Sequence, residues 1–339
     1  MSPQFVDFDT DGTLDLVAGT FDGSPHLARG ERGGFRQPEP VLDARGQRIA
    51  IRQYWDHTQK RWFGMADENA ADSEGKGHAT SVLAFDGDGD GDLDLLLGDH
   101  ESGRIWIRRN DGTRTSPAFA GGNTRLVAAG SPLELPGTVA TMRPCDWNGD
   151  GRSDLLVGTM GEVNGAAPPG GGVYVLLRQG DGDTATFAAP LVLIPPSDKS
   201  ASDGPQRPDS ALYADAGDID GDGDLDLVVG GYAHWTPKGR LLTATELQHV
   251  AELRSELAAL DRELAELTQQ AQQASKDAPI AERSRRYTEA FQAQKPRRDA
   301  NRSQRERHQT EIDNLIPPPR RETGIWLYTN TASPKKAPG

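Results

Sequence analysis

The chain has 339 residues, a formal net charge of −14, abundant glycine and proline, and a single cysteine, Cys145. This acidic balance argues against nucleic acid as a partner, and a lone cysteine rules out an intrachain disulfide. No run approaches the roughly 18 to 20 apolar residues of a transmembrane helix, and the many glycines, prolines and short apolar runs indicate a turn-rich β body.

The chain begins almost inside a strand, MSPQFV, and shows no charged segment followed by an apolar one, so no signal peptide is visible. An acidic loop follows at once, DFDTDGTLDL, with Asp7, Asp9, Asp11 and Asp15 at positions 1, 3, 5 and 9 and Gly12 at position 6. Two strand-like runs come after it, LDLVAG and SPHLARG. A long irregular stretch, residues 47–77, then places Tyr54, Trp55, Trp62 and Phe63 close to Arg52, Lys60 and Arg61. Such rings suit carbohydrate stacking or a protein hot spot, with Trp55 and Trp62 as the ligand-contacting candidates; they suit equally a plain hairpin packed between sheets.

The acidic loop recurs at intervals of 79, 60 and 72 residues. DGDGDGDLDL offers Asp86, Asp88, Asp90 and Asp94, with SVLAF before it and LDLLLG, GRIWIRRN and TRLVAAG after it. DWNGDGRSDL offers Asp146, Asn148, Asp150 and Asp154, framed by TVATMRPC, DLLVG, GGVYVLLRQ and APLVLIPP. Cys145 ends the strand before that loop and reads as a buried structural thiol. DIDGDGDLDL offers Asp218, Asp220, Asp222 and Asp226, with SALYADAG before it and LDLVVG after it. The unit is strand, acidic loop, strand, turn, strand, with a fainter outer strand; its spacing suits one four-stranded sheet per repeat and a β-propeller of about four blades.

Residues 242–321 break this pattern. Val250, Leu253, Leu257, Leu260, Leu264 and Leu267 alternate at three and four residues, the seam of a coiled coil, and Thr245 with Gln248 forms a capping box at its start. A second helix is expected from Pro279 to about Leu315, with Tyr287, Phe291, His308, Ile312 and Leu315 on its seam and an interruption at Pro296. The first arm is rich in glutamate and the second in arginine, so the two are expected to pair as an antiparallel hairpin of about 28 residues per arm, roughly 40 Å long. The chain then returns to a strand, GIWLYTN, and ends in TASPKKAPG without an outer strand for the last blade. The domains are therefore residues 1–241, the propeller; 242–321, the helical insert; and 322–339, the last strand with a flexible tail.

The chemistry of the loops is that of a hard cation. Calcium takes six to eight oxygens at about 2.3 to 2.6 Å and tolerates irregular geometry, and alternate residues of a tight turn point inward together. The backbone carbonyls of Thr13, Asp92, Arg152 and Asp224 would add a fifth ligand in each loop. An EF-hand is excluded, because it needs flanking helices and a glutamate at position 12. The four ligand sets carry fifteen carboxylates, enough to account for the whole of the net charge of −14, so the charge reflects local metal chemistry. Up to four structural calcium ions are expected.

The four DxDxDGxxDL loops, with Asn148 in place of one aspartate, and the strand and glycine after each resemble the FG-GAP/VCBS repeat proteins, whose propellers are similar to the integrin α-subunit head. In that family the loop joins the first two strands of a blade and binds calcium, which implies the ligands already named. The resemblance covers residues 1–241 and 322–331. It implies a non-catalytic, calcium-stabilised binding, adhesion or scaffolding module that contacts protein or glycan outside the cytoplasm, with the helical hairpin as a partner or oligomer contact. Millimolar external calcium suits such loops, and the chain is read as an incomplete form of a longer secreted protein. The alternative is a polysaccharide-active, lyase-like enzyme on the same scaffold, although the scattered histidines form no HExxH or nucleophile motif.

Overall fold

A computed structural model describes residues 3–64, 78–87, 89–161, 170–180, 186–197, 202–276, 278–279 and 282–331. Asp88, the part of the aromatic stretch after Gly64, and the tail from residue 332 lie outside them. The protein is mostly β-sheet with three helices, and it divides after Trp235 and before Arg321 into a unit of sheets and a unit of helices.

Four sheets, each carrying one acidic loop, follow one another along the chain. The first holds Gln4–Val6, Asp15–Gly19, Pro25–Ala28 and Glu39–Pro40. The second holds Ala79–Phe85, Asp94–Asp99, Ile105–Arg108 and Thr124–Arg125, and the third Thr138–Cys145, Asp154–Met160, Val173–Leu176 and Leu191–Ile194. The fourth holds Ser210–Gly217, Asp226–Trp235 and Arg320–Tyr328, with no outer strand among the described residues. Each acidic loop joins the first two strands of its sheet.

The sheets pack face to face in chain order because their strands are apolar on both sides. Leu95 and Leu97 face the first sheet, in a core with Val17, Val82, Ile49 and Phe119. Leu96, between them, points the other way into a core with Leu83, Phe85, Leu155, Val157 and Leu176. Leu156, in turn, faces the fourth sheet with Val173, Val175, Leu212, Leu227 and Val229. Full burial of each such leucine contributes about 2 kcal/mol.

One glycine sits at the same place in every repeat, four residues after the last loop aspartate, and it governs these joints. A Cβ on Gly19 would lie 2.6 Å from the backbone of Thr80, one on Gly98 2.1 Å from the carbonyl of Ala140, and one on Gly158 2.0 Å from the carbonyl of Leu212. Each of these contacts is made by the start of the next sheet's first strand, where the register with its own partner slips in a bulge. Val139 and Ala211 take positive φ there, 49° and 53°. On the fourth sheet the equivalent Gly230 meets nothing closer than 3.9 Å, and Val228 is only partly buried, whereas Val17, Leu96 and Leu156 are at most 1% exposed.

The helical unit holds α1 (Ala244–Lys276), α2 (Arg283–Ala293) and α3 (Lys295–Leu315). Its 33-residue first arm is about 50 Å long, more than the sequence periodicity predicts. The capping box is also displaced from the expected Thr245 and Gln248. Thr243 is the cap: its N–H and hydroxyl donate to the Glu246 carboxylate at 2.8 and 2.9 Å, and Glu246 N–H donates back to Thr243 Oγ1 at 3.3 Å. A carboxylate held by the Arg240 fork is a stronger acceptor than the Gln248 amide, which bonds Glu252 instead.

The arms run antiparallel, as the pairs Arg297 with Glu263, Arg305 with Asp261, His308 with Glu256 and His249 with Glu311 require. Pro296 opens α3 just after a break at Gln294. The polar middle of the second arm is built around Asn301, 3% exposed, whose amide donates to the Leu260 carbonyl at 2.9 Å and to Glu263 at 3.0 Å.

Candidate metal centre

The acidic loops fold through their own aspartates. In all four, the N–H of the glycine at position 6 donates to the aspartate at position 1: Gly12 to Asp7 (3.1 Å), Gly91 to Asp86 (3.3 Å), Gly151 to Asp146 (2.9 Å) and Gly223 to Asp218 (3.2 Å). These glycines hold φ between +85° and +95°, a left-handed turn that other residues rarely adopt. The carboxylate at position 5 accepts the N–H two residues on: Asp11 from Thr13, Asp90 from Asp92, Asp150 from Arg152 and Asp222 from Asp224. Turn chemistry of this kind is local, so it follows directly from the sequence.

The turns bring carboxylates together. One oxygen each from Asp7, Asp9 and Asp11 lies within 4.8 Å of the others, and the same holds for Asp218, Asp220 and Asp222. Asp7 Oδ1 and Asp224 Oδ1 are buried with no hydrogen-bond partner. A buried carboxylate oxygen facing other carboxylates is costly unless a cation completes it, so these residues fit a divalent ion. Partial desolvation, followed by the neighbouring carboxylates, pushes the Asp220 and Asp224 carboxyls above their ordinary range. The third loop differs: Asn148 Oδ1 accepts from Asp150 N–H at 3.0 Å, and the Arg152 guanidinium sits 3.1 Å from Asp150. The Arg152 N–H, with that guanidinium and Asn148, holds Asp150 below its ordinary range. In the second loop Asp86 and Asp90 make the same turns, and Asp88 is outside the described residues.

The last aspartate of each loop has a second task that the motif does not announce. Asp15, Asp94, Asp154 and Asp226 are at most 2% exposed. One oxygen of each accepts an N–H from the chain just beyond the third strand: Gly30, Asn110 and Arg178 at 2.7 Å, and Asn330 at 2.9 Å. The other oxygen accepts the N–H at loop position 2 in three of the repeats, from Phe8 (3.2 Å), Trp147 (3.0 Å) and Ile219 (2.9 Å). This residue therefore ties loop, second strand and third strand together. The bonds from Asn330 and Ile219 hold Asp226 below its usual range, whereas at Asp154 burial wins and pushes the carboxyl up. The signal for this role was the position of the aspartate at the first residue of a buried strand.

Trp55 and Trp62 stand opposite each other in a hairpin of Gln53–Asp56 and Arg61–Gly64, rings 5.5 Å apart and edge-on. Tyr54 and Phe63 stack beside them at 5.6 Å. Trp62 is 44% exposed and its inner side rests 4.7 Å from the His78 ring, so the pair is both a packed ladder and a partly open aromatic surface. Cys145 is half-buried; desolvation, aided by Asp154, Asp215 and Asp146, pushes its thiol up to about 12.

A family model of the FG-GAP-like repeat matches twice, over residues 86–157 and 146–229. The matches overlap on the third loop and span the second, third and fourth loops with the strands around them. No curated protein matches the chain significantly. Over residues 86–229, across successive loop-and-clamp units, the chain is built of FG-GAP-like repeats.

Proposed function

We propose that the protein is a non-catalytic, calcium-stabilised binding or scaffolding module that contacts protein or glycan outside the cytoplasm. FG-GAP repeats are typically extracellular binding and adhesion modules, generally without enzymatic activity. No helix among the described residues is long and apolar enough to cross a membrane. In this reading the four sheets are blades of a propeller, and the helical unit is a coiled-coil hairpin inserted between the last two strands of the fourth.

The observation that carries the calcium assignment is the pair of three-carboxylate clusters, each beside a buried, unpartnered carboxylate oxygen. Asp7, Asp9, Asp11 and Asp15, with the Thr13 carbonyl, would hold one ion; Asp218, Asp220, Asp222 and Asp226, with the Asp224 carbonyl, would hold another. The sets around Asp86 and Asp146 are the remaining candidates, the latter weakened by Asn148 and by the Arg152 guanidinium on Asp150. The ion's part is to cancel repulsion and lock the turn; its binding to the native loops stabilises the fold. Thermal unfolding in millimolar calcium should therefore lie well above unfolding in chelator, and equal midpoints would refute the assignment. For the ligand, the exposed ring of Trp62 beside Trp55 is the candidate contact. Glycan-array binding that disappears in Trp62→Ala, with the fold retained, would identify a glycan module; array silence with retained partner capture would identify a protein scaffold.

A further inference from the structure

The four loops differ in one respect that the repeated motif hides. Arg29 follows the third strand of the first sheet, immediately before Gly30, the residue whose N–H reaches Asp15. Its guanidinium pairs with Asp9, lies 3.7 Å from Asp15, and is set 5.8 Å from the ring centre of Phe8. A positive charge thus stands among the carboxylates of the first loop. The residue immediately before the corresponding donors Asn110, Arg178 and Asn330 is Arg109 in the second repeat, Leu177 in the third and Thr329 in the fourth. Asp218, Asp220, Asp222 and Asp224 have no lysine, arginine or histidine paired with them among the described residues, and the first three crowd one exposed turn.

We infer that Arg29 is a built-in counter-cation that orders the first loop without metal and competes with calcium there, so that the fourth loop is the tighter site and the one whose order depends on calcium. This rests on the calcium reading given above. Carboxylates clustered at this distance repel, and either a guanidinium or a divalent ion relieves them; the guanidinium already present must be displaced or must share its partner before calcium binds. Arg29 and Asp9 are partly exposed, which moderates the effect to about tenfold in affinity between the two loops.

The test is a comparison of the wild-type protein with Arg29→Gln in calcium and in chelator. Arg29→Gln should lower the midpoint of thermal unfolding in chelator and leave it unchanged in saturating calcium, widening the calcium effect. An equal loss in both conditions overturns the inference while leaving calcium binding intact; a wild type that does not respond to calcium takes down both readings. Arg29→Lys, which keeps the charge, should behave as wild type. As a check independent of any variant's folding, hydrogen exchange of the wild-type protein during calcium titration should show the segment 218–224 protected at about tenfold lower calcium than the segment 7–13. Protection of both at the same concentration would also overturn the inference.

Discussion

Each loop aspartate is defined by what its oxygens already bond. Asp222 sits among carboxylates at the rim of the fourth loop, so Asp222→Asn relieves repulsion and should raise the unfolding midpoint in chelator while lowering it in calcium. Asp154 is fully buried and accepts N–H groups from Arg178 and Trp147. Asp154→Asn turns one acceptor into a donor facing a donor, and the loss should be about 2 kcal/mol already in chelator, where the metal plays no part. Calorimetry of the two variants in calcium and in chelator checks the distinction. Both residues obey the same motif letter, and sequence reading alone gave them the same role; burial separates them. At the helix start, Glu246 is held down to about 2 by the Arg240 side chain and by Thr243. A carboxyl depressed in the folded state contributes fully above its unfolded value of 4.5, and that contribution is lost as pH falls toward about 2. The protection of amides in the first turn of α1, taken relative to the intrinsic exchange rate at each pH, should therefore fall across that window, and Glu246→Gln should flatten the dependence.

At the scale of elements, the strand, loop, strand unit was legible because its signals are local: apolar runs ending in glycine, and aspartates spaced to turn on themselves. The outer strands near TRLVAAG and APLVLIPP were legible too, whereas Glu39–Pro40, a two-residue outer strand, carried too little pattern to be seen. The glycine repeated at the end of each second strand shows no purpose in the sequence pattern. Its use is close approach of the next sheet's backbone. Gly158→Val, whose Cβ would fall 2.0 Å from the Leu212 carbonyl, should cost about 3 kcal/mol or more, while Gly230→Val, with nothing nearer than 3.9 Å, should fall within about 1 kcal/mol of wild type. Chemical denaturation of the two variants measures the difference. The capping box was misplaced by two residues because two overlapping Thr-x-x-Glu/Gln patterns compete, and only Arg240, six residues from Glu246, tips the choice.

At the scale of the molecule, the chain leaves the second strand of the fourth sheet, forms the helical unit, and returns as the third strand of that sheet. Replacing residues 243–320 by a short glycine linker should leave sheets that unfold cooperatively with an intact calcium response; loss of cooperative unfolding would show that the helices are needed for the β unit to fold. By itself, the sequence determined the repeat, the turns of the acidic loops, their clustering of carboxylates and the pairing charges of the helices. All of these depend on residues within a few positions of one another, in patterns that recur along the chain. Only the tertiary structure decided which aspartate is clamped by a strand brought from elsewhere in the chain, which glycine carries a neighbouring sheet, and which loop already holds an arginine. Those are contacts between residues distant in the chain, and a motif written in consecutive letters does not encode them.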